Sequence, residues 1–483
     1  MNARQVVLGV DSSTQSTKVE ARDLDSGDVL AAGSASHPPT TPPVSEQDPD
    51  AWWRALVQAC AAVPADVRGD VVAVSVAGQQ HGLVLLDASG EPVRPAKLWN
   101  DTTSAAEAGA LVEALGADEW ASRTGTVPVP SITITKLAWV AAHEPDALAR
   151  AEMVMLPHDY LTWRLSGRHV TDRGDASGSG WFDPVTNELR PELLELAGTD
   201  AERLAVPEVL APAVAAGAIT AEAAEALDLP VGVLVGPGTG DNMGAALGLG
   251  LGSGDVAISL GTSGVAFAAS STPTSDPSGN VAGFADATGG FLPLVCTLNA
   301  TKVTDTVARW LGTDAAGVGR LALDAVGAPG DVTLVPYFDG ERTPNLPDAA
   351  GELVGLTTAT SAAQIALAAH DGVLCGLLDG LDALSATGAT VDGTLVLVGG
   401  GNRSVAYRQR CADLSGRTVR IPEVAEAVAA GAAVQAAVVA GAGSFVDVQR
   451  AWGLGAGTEV TPANDVSGIR DRYRRASARL TES

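Results

Sequence analysis

Positive charge is scarce in this sequence. Lysine and arginine together number 30 against 57 aspartate and glutamate residues, so the formal net charge is −27. The only lysines are Lys18, Lys97, Lys136 and Lys302. Because nucleic acids and anionic membranes are bound through concentrated basic faces, both are poor partners for this chain. Any phosphate group that it binds must be held by backbone amides and a divalent cation rather than by general positive charge.

Cysteine is also rare, and long apolar runs are missing. The four cysteines, Cys60, Cys296, Cys375 and Cys411, show no C-x-x-C spacing, which argues against a disulfide framework or a cysteine zinc site. No stretch reaches membrane-spanning length. The apolar run at residues 6–10 is too short for a signal peptide. A globular, cytoplasmic protein is therefore expected.

Two common nucleotide-binding motifs are missing as well. The sequence contains no GxxxxGK loop followed by serine or threonine, and no GxGxxG with the usual acidic residue downstream. A nucleotide, if one binds, must be held by another arrangement.

The chain does have enough apolar residues for two domains. With 483 residues, 46% of them hydrophobic, it exceeds what one core usually supports. Two domains of about 200 to 250 residues, with a cleft between them, are predicted. Apolar runs at 6–10, 71–76 and 82–86 predict strands, and a helix is predicted to begin at Asp48 and Pro49. The expected class is therefore α/β.

The alternation continues through the rest of the chain. Residues 186–229 are rich in alanine, glutamate and leucine and are predicted to be helical, followed by a strand at 231–235 and a domain boundary near Gly252. Further elements are predicted in the second half, namely strands at 332–338 and 395–398 and helices at 361–378, 426–440 and 468–483.

A short internal repeat links the two halves. Residues 255–267 reproduce the pattern of residues 8–19, in which a strand, a turn of small residues and a second strand follow one another. Two such hairpins, one opening each half, suggest an ancient duplication. In a chain rich in glycine, serine and threonine, a match this short also arises by chance.

Asp11 lies at the end of the first predicted strand and begins a turn rich in hydroxyl groups. Its carboxylate and the amides of the turn favour a contact with magnesium, made through water, beside a phosphate group. The alternative is that Asp11 only shapes the turn, which is a common role for aspartate. The neighbouring Ser12, Ser13 and Thr14 favour the magnesium role.

Asp241 follows the glycine-rich turn 236–240 and begins the segment 242–248, whose small residues would let a helix pack closely against a neighbour. Aspartate in this place is a typical helix N-cap. The same carboxylate, at the positive end of a helix dipole, would stay ionised and ready to accept a proton, although with weakened basicity. The two roles are compatible.

A polar cluster, Gly-Gln-Gln-His-Gly at 78–82, ends the strand predicted at 71–76. Its amides and imidazole supply both hydrogen-bond donors and acceptors, which suit a polyol. For His81 the alternative is a turn histidine with its own hydrogen bonds. Trp99 offers a flat face to a sugar ring, although tryptophan is more often a core residue.

Two glycine-rich turns follow predicted strands in the second half. The turn 261–264, which contains Thr262, can present backbone amides to an anion, although hairpin turns use the same residues. The three glycines at 399–401 can pack flat against a nucleotide, although a simple chain reversal would also need them.

Together these segments resemble the FGGY carbohydrate kinases, and within them the xylulokinases, over nearly the whole chain. No single motif is diagnostic, but their order and spacing along one chain are those of the family. The matching segments are Ser-Glu-Gln-Asp-Pro at 45–49, Gly-Gln-Gln-His-Gly at 78–82, Leu-Trp-Asn-Asp at 98–101, Leu-Pro-His-Asp-Tyr at 156–160, Gly-Asp-Asn at 240–242, Ser-Leu-Gly-Thr-Ser-Gly at 259–264, Gly-Glu-Arg-Thr-Pro at 340–344 and Gly-Gly-Gly at 399–401.

The resemblance implies an α/β fold of the actin-like, or ribonuclease H-like, type, with two duplicated domains and a central interdomain cleft that binds ATP and Mg²⁺. It implies a sugar-binding N-terminal domain at 1–248 that carries the catalytic aspartate, an ATP-binding C-terminal domain at 253–445 and a helical tail at 446–483. Dimers are common in the resembled family, so a homodimer is one expected assembly.

The resemblance also implies roles for individual residues. By position, Asp241 is similar to the family's catalytic base and Asp11 to its magnesium-linked aspartate. The expected sugar contacts are Gln80, His81, Trp99, Asp241 and Asn242. The expected ATP contacts are Ser12, Thr14, Gly261, Thr262, Gly399, Gly400, Gly401 and Ser404.

The implied reaction is transfer of the γ-phosphoryl group of ATP to the 5-hydroxyl of D-xylulose, in xylose catabolism. Gln80 stands where xylulokinases often have methionine, so the acceptor stays open among D-xylulose, ribulose, L-xylulose, gluconate and glycerol. The first loop, residues 11–14, also lacks the glycine of the family's Asp-x-Gly-Thr form, which changes only how the loop turns. A non-catalytic sugar or nucleotide sensor of the same fold is the alternative from another class.

Overall fold

The computed structural model describes residues 4–328 and 331–481. The strands, numbered in chain order, are β1 (Val6–Ser12), β2 (Ser16–Asp23), β3 (Val29–Ser36), β4 (Glu46–Gln47), β5 (Val71–Gly78), β6 (Val84–Leu86), β7 (Ala96–Lys97), β8 (Met153–Met155), β9 (Val170–Asp172), β10 (Phe182–Asp183), β11 (Glu188–Leu189), β12 (Glu208–Leu210), β13 (Gly217–Ala218), β14 (Leu234–Val235), β15 (Thr239–Gly240), β16 (Val256–Leu260), β17 (Gly264–Ala268), β18 (Ala282–Ala285), β19 (Phe291–Thr297), β20 (Thr333–Val335), β21 (Glu352–Val354), β22 (Leu395–Val398), β23 (Val419–Pro422) and β24 (Gly457–Val460).

The helices are numbered in the same way, and a single 3₁₀ turn at Gly400–Arg403 is left unnumbered. They are α1 (Pro49–Ala61), α2 (Ala65–Arg68), α3 (Ala105–Leu115), α4 (Ala117–Thr124), α5 (Thr133–His143), α6 (Pro145–Arg150), α7 (Pro157–Ser166), α8 (Arg173–Ala176), α9 (Pro191–Leu196), α10 (Ala221–Leu227), α11 (Asp241–Gly248), α12 (Thr301–Trp310), α13 (Ala315–Asp324), α14 (Ala362–Ala386), α15 (Val405–Ser415), α16 (Ala427–Val439), α17 (Phe445–Ala451) and α18 (Ile469–Thr481). Within the described ranges, no helix combines the length and the apolar character needed to cross a bilayer.

The chain forms two compact units that are not continuous in sequence. The first unit runs to Leu251 and also includes Pro273–Leu292 and Val424–Gly455. The second unit comprises Gly252–Thr272, Pro293–Glu423 and the residues from Ala456 onward. Helix α16, which lies in sequence between β23 and β24 of the second unit, therefore packs within the first.

The first unit is built on a sheet with the strand order β13-β14-β5-β1-β2-β3. Strand β1 pairs antiparallel with β2 and parallel with β5, and β15 also pairs parallel with the end of β5. Helix α1 packs on β2 and β3, while α16 packs on β1 and β5. Every residue of β1 is buried as a result, which explains why this strand is nearly continuous in apolar residues.

The second unit repeats this arrangement. Its sheet includes strands in the order β19-β17-β16-β22-β23-β24. Strand β16 pairs antiparallel with β17 and parallel with β22, which matches the pairing of β1 with β2 and β5 in the first unit. Strand β17 pairs antiparallel with β19, which matches the pairing of β2 with β3. The predicted α/β class and the duplicated hairpin at residues 8–19 and 255–267 are confirmed.

Two other sequence predictions meet different outcomes. Asp48 caps α1 by accepting a hydrogen bond from the Asp50 amide, with Pro49 in the first turn, as predicted. The prediction of helix throughout 186–229 is wrong, because α9 and α10 are short and β12 and β13 lie between them. Prolines at 207 and 212 interrupt the alanine-rich stretch, and proline removes a backbone donor and clashes with the preceding helical turn.

Helices α11 and α16 approach each other through glycine, as the small residues of 242–248 predict. A Cβ atom added at Gly248 would overlap the carbonyl oxygen of Ala427, and one added at Gly431 would overlap that of Gly244. Gly9 on β1 faces the Ala429 carbonyl with equally little room. The helix that carries Asp241 is thus held against α16, and α16 against β1, by contacts that only glycine allows.

Substitution of Gly248 by alanine should destabilise the protein by about 1–3 kcal/mol, because the added methyl group has no space between α11 and α16. The matched control is Gly109→Ala. Gly109 is exposed on α3, and a Cβ atom added there would meet no heavy atom within 4 Å, so alanine should be neutral or stabilising by up to about 1 kcal/mol. Calorimetric melting of both variants checks the pair, and equal melting temperatures would contradict the proposed close packing.

Candidate active site

Asp11 lies near the end of β1, opposite Lys18 on β2 in the antiparallel register. Its side chain is buried, and its Oδ1 atom has no hydrogen-bond partner among the described residues. Burial raises the pKa of Asp11 to about 6, against the opposing effects of the Lys18 charge and a hydrogen bond from Ser13. A buried carboxylate oxygen without a donor is one that a bound cation could satisfy.

Asp241 is the first residue of α11, directly after Gly240 at the N-cap. Burial and the negative charge of Asp11 raise the pKa of Asp241 to about 7, although its own amide and that of Asn242 oppose the rise. The amides at the start of the helix do lower this pKa, as its position predicts, but burial and charge repulsion outweigh them. A carboxylate with a pKa near 7 can act as a base at neutral pH.

Gln80 and Asn242 are joined to Asp241 by hydrogen bonds. The Nδ2 atom of Asn242 donates to Oε1 of Gln80 over 2.8 Å and lies 3.0 Å from Oδ1 of Asp241. Gly240 permits this approach, since a Cβ atom there would lie 2.7 Å from Cγ of Gln80. The structure thus brings three of the predicted sugar-contacting residues together.

His81 and Gln79 complete the polar cluster at the end of β5. His81 has a left-handed backbone with φ of 65°, and its buried ring lies 5.2 Å from the ring of Phe284. The Gln79 amide donates to the Ser12 carbonyl over 2.9 Å, while the polar atoms of its buried side chain have no partner in the described part of the chain. From the sequence, Gln79 was noted only as part of the motif at 78–82. Its unpaired side-chain amide is a further candidate ligand contact.

Trp99 lies beside the turn that follows β1 rather than in the core. It is 39% exposed, and its indole Nε1 donates to Oγ1 of Thr14 over 2.9 Å. The Ser12 hydroxyl is buried and accepts a hydrogen bond from Thr17 over 3.3 Å. Two predicted contact residues, Trp99 and Thr14, are therefore neighbours.

In the second unit, the turn between β16 and β17 is fixed to the start of α12. The carbonyl oxygens of Gly261 and Thr262 accept hydrogen bonds from the amides of Thr301 and Ala300, over 3.0 and 3.2 Å. Thr262 itself is exposed. The turn therefore has a fixed backbone and an open hydroxyl group.

Asn299 and Glu341 join the residues just before α12 to the segment 340–344, and neither role was predicted from the sequence. Asn299 Nδ2 donates to Oε2 of Glu341 over 3.0 Å and to the Gly340 carbonyl over 2.7 Å. Oε1 of Glu341 accepts from the Leu298 amide over 2.5 Å. Burial raises the pKa of Glu341, against the hydrogen bond from Asn299. The only sign of these two residues in the sequence was that Glu341 lies in the segment 340–344, one of those that match the family.

The glycines at 399–401 differ in their surroundings. Gly399 has φ of 83°, and a Cβ atom there would lie 2.6 Å from the Leu260 carbonyl oxygen. A Cβ at Gly401 would lie 2.7 Å from Cβ of Leu260, whereas one at Gly400 would meet nothing. Ser404 caps α15. Close packing against Leu260 therefore requires glycine at 399 and 401, whereas the backbone at Gly400 is exposed and uncovered by any side chain.

A buried ionic cluster in the first unit was not predicted. The Nε2 atom of His158 lies 3.2 Å from Asp159 Oδ1, 3.3 Å from Asp172 Oδ1 and 3.4 Å from Asp175 Oδ2, with all four side chains buried. Burial alone would lower the pKa of His158, but the three carboxylates outweigh it and raise that pKa to about 9. Burial also raises the pKa of Asp175 well above its usual range. We call these four residues the His158 cluster.

Comparisons with known proteins agree on one family. Residues 6–248 match the N-terminal domain of the FGGY family of carbohydrate kinases, and residues 256–440 match its C-terminal domain. A xylulose kinase of Streptomyces coelicolor is 48% identical over 453 residues, which cover 94% of this chain and 92% of that protein. The crystal structure of xylulose kinase from Bifidobacterium adolescentis, 38% identical, superposes with a TM-score of 0.86 over 98% of this chain and 99% of the other.

The His158 cluster should make stability depend on pH. Because the folded pKa of about 9 exceeds the ordinary value of 6.5, the cluster stabilises the fold fully below pH 6.5, and this stabilisation is lost as the pH rises through 9. The loss should be on the order of 3 kcal/mol. Urea unfolding should show that the free energy of unfolding falls more between pH 7 and pH 10 for the wild type than for His158→Gln. Equal falls would contradict the ionised imidazole.

Proposed function

This chain belongs to the FGGY family of carbohydrate kinases, and from that premise we propose that it transfers the γ-phosphoryl group of ATP to the 5-hydroxyl of D-xylulose. The protein is a carbohydrate kinase with a duplicated α/β fold of the actin-like type, as the sequence predicted. Support for D-xylulose comes from the 48% identical relative, which is a xylulose kinase and aligns over 94% of this chain.

Asp241 is the proposed general base. It carries a pKa of about 7 and lies within a hydrogen bond of Asn242, which in turn reaches Gln80. In the reaction, the sugar oxygen forms a bond to the γ-phosphorus as the bond to the β–γ bridging oxygen breaks, and ADP leaves. The hydroxyl proton passes to the Asp241 carboxylate and later to solvent. Deprotonation can be late, because the phosphoryl-transfer transition state is loose.

The sugar is held by groups that can both donate and accept. Asn242 and Gln80 offer amide groups next to the base, and His81 offers an imidazole held in a strained backbone conformation. These residues would orient the hydroxyl toward the phosphorus, and orientation of this kind accounts for much of the rate in such reactions. Trp99, exposed at the Thr14 turn, is an additional sugar contact in this proposal.

The second unit would bind the nucleotide. Gly261 and Thr262 form a turn whose backbone is fixed by α12, which suits contact with phosphate oxygens. A Cβ atom added at Gly400 would meet no heavy atom within 4 Å, so the backbone there is open and can lie flat against adenosine. Gly399, Gly401 and Ser404 lie near it in sequence.

Asp11 would hold Mg²⁺, with the backbone of Ser12 and Thr14 nearby. Its buried, unpartnered Oδ1 atom fits a cation or a cation-bound water, and magnesium typically uses one or two carboxylates and keeps several waters. Among the described residues, no cluster of three or more His, Cys, Asp or Glu is arranged as a metal site. Bound there, the ion would neutralise charge on the triphosphate.

Asp241→Asn should lower kcat by about 10²- to 10⁴-fold, because the amide cannot accept the proton. The matched control is Asp228→Asn at the end of α10, where asparagine tolerates the positive φ, and this variant should keep wild-type turnover. Coupled detection of ADP at saturating ATP and D-xylulose measures both. Turnover of Asp241→Asn within a few-fold of the wild type would remove the base assignment.

The sugar is tested by a panel of D-xylulose, ribulose, L-xylulose, gluconate and glycerol. D-xylulose should give a kcat/KM at least about tenfold above each of the others, since specificity is a ratio of transition-state affinities. A higher value for another polyol would reassign the substrate. Absence of ADP release with every sugar would instead indicate a non-catalytic sensor.

A further inference from the structure

His158 lies against the two segments that carry the proposed sugar and base residues. A Cβ atom added at Gly78 would lie 3.0 Å from Cβ of His158, and one added at Gly238 would overlap the His158 ring at Nδ1. Gly78 comes two residues before Gln80, and Gly238 comes three before Asp241. His158 is therefore packed against both segments, with its Cβ and backbone facing Gly78 and its ring facing Gly238.

Asp172 connects the cluster to the base by hydrogen bonds. Its Oδ2 accepts from the hydroxyl of Thr239 over 3.0 Å and from the Gly174 amide over 2.8 Å, and its Oδ1 accepts from the Asp175 amide over 3.0 Å. Thr239 is fully buried and lies two residues before Asp241. A displacement of the Asp172 carboxylate would therefore be transmitted to β15, the strand that directly precedes Asp241.

Helix α8, which Asp172 caps, also reaches the sugar-binding side. A Cβ atom added at Gly178, just after α8, would overlap the ring of His81 at Nδ1 and Cε1. A Cβ at Gly174 would lie 2.9 Å from Cγ of Met243 on α11. The residues around α8 thus contact both His81 and the helix that begins with Asp241.

The three carboxyl groups of the cluster differ in the hydrogen bonds that they accept. One imidazolium faces three carboxyl groups in a buried site, and full ionisation of all three would leave two uncompensated charges. Asp172 accepts three hydrogen bonds, and Asp159 accepts one from the Leu156 amide, but neither oxygen of Asp175 accepts any within the described chain. Asp175 therefore has the least support for a negative charge, and burial raises its pKa well above its usual range; a neutral Asp175 would spare nearby Asp241 a second repulsive charge.

We propose that His158 and Asp172 are positioning residues that hold Asp241, through Thr239, and the Gln80–His81 pair in one fixed geometry, with the His158 cluster carrying a single net negative charge. This inference rests on the proposed kinase function for its effect on turnover. Its charge state stands on the cluster geometry alone and can be measured without any substrate.

The link is tested by a matched pair at Thr239. Thr239→Ser keeps the hydroxyl donor to Asp172, whereas Thr239→Val keeps the shape and removes the donor. Thr239→Val should lower kcat with D-xylulose by about 10- to 100-fold, because small misplacements of catalytic groups have effects of that size, and leave KM for ATP unchanged. Thr239→Ser should stay within about threefold of the wild type. Similar kcat values for the two variants would overturn the proposal.

A second comparison separates positioning from general stability. His158→Gln should lower kcat and raise KM for the sugar. Asp50→Asn weakens the hydrogen bonds that Tyr160 and Arg164 of α7 donate to Asp50 of α1, and it should lower the melting temperature without changing kcat. Equal losses of kcat in both variants would show that the cluster only stabilises the fold, and would overturn the proposal.

The charge state is measured by side-chain nitrogen NMR, which is practical because the chain has six histidines. The His158 signal, assigned by its loss in His158→Gln, should stay that of a protonated ring between pH 6 and pH 8. Titration near its ordinary pKa would overturn the proposal. If the wild type phosphorylates no D-xylulose while the ring stays protonated, the substrate assignment fails but the cluster stands.

Discussion

The parallel pairing of β5 with both β1 and β15 is the constraint on which the site depends. Gly78, the last residue of β5, lies opposite Ser12 at the end of β1 and opposite Gly240 at the end of β15. Side chains that are far apart in sequence, Asp11, Gln80 and Asp241, therefore leave the sheet at the same edge. Glycine at 240 and in α11 and α16 then allows the backbones to come close enough for these side chains to interact.

Crowding of acidic groups at this edge sets the chemistry of Asp241. Burial and the charge of Asp11 raise its pKa to about 7, and the amides of the first turn of α11 do not cancel this effect. A general base works best when its pKa lies near the ambient pH, because it is then both ionised and sufficiently basic. The neutral Asp175 proposed above keeps this balance, since a third ionised carboxylate would raise the pKa further.

Much of this arrangement could be predicted from the sequence, and the reasons for the failures are physical. Asp11 and the glycine turns could be singled out because each directly follows a predicted apolar strand, and Asp241 because it follows one of these turns. The His158 cluster was not found, because Asp172 and Asp175 meet His158 only through tertiary packing. Residues 186–229 have a helical composition but contain prolines that composition alone underweights. The net rise in the pKa of Asp241 could not be predicted, because the proximity of Asp11 depends on strand pairing rather than on helix position.

The central claim is that the Asp241 carboxylate faces the sugar hydroxyl that attacks ATP. A crystal structure with D-xylulose and a non-hydrolysable ATP analogue tests it most directly. The account predicts an Asp241 oxygen within about 2.6–3.2 Å of the 5-hydroxyl oxygen, with that oxygen directed at the γ-phosphorus. A structure in which the carboxylate points away from every sugar oxygen while both ligands are bound would contradict it.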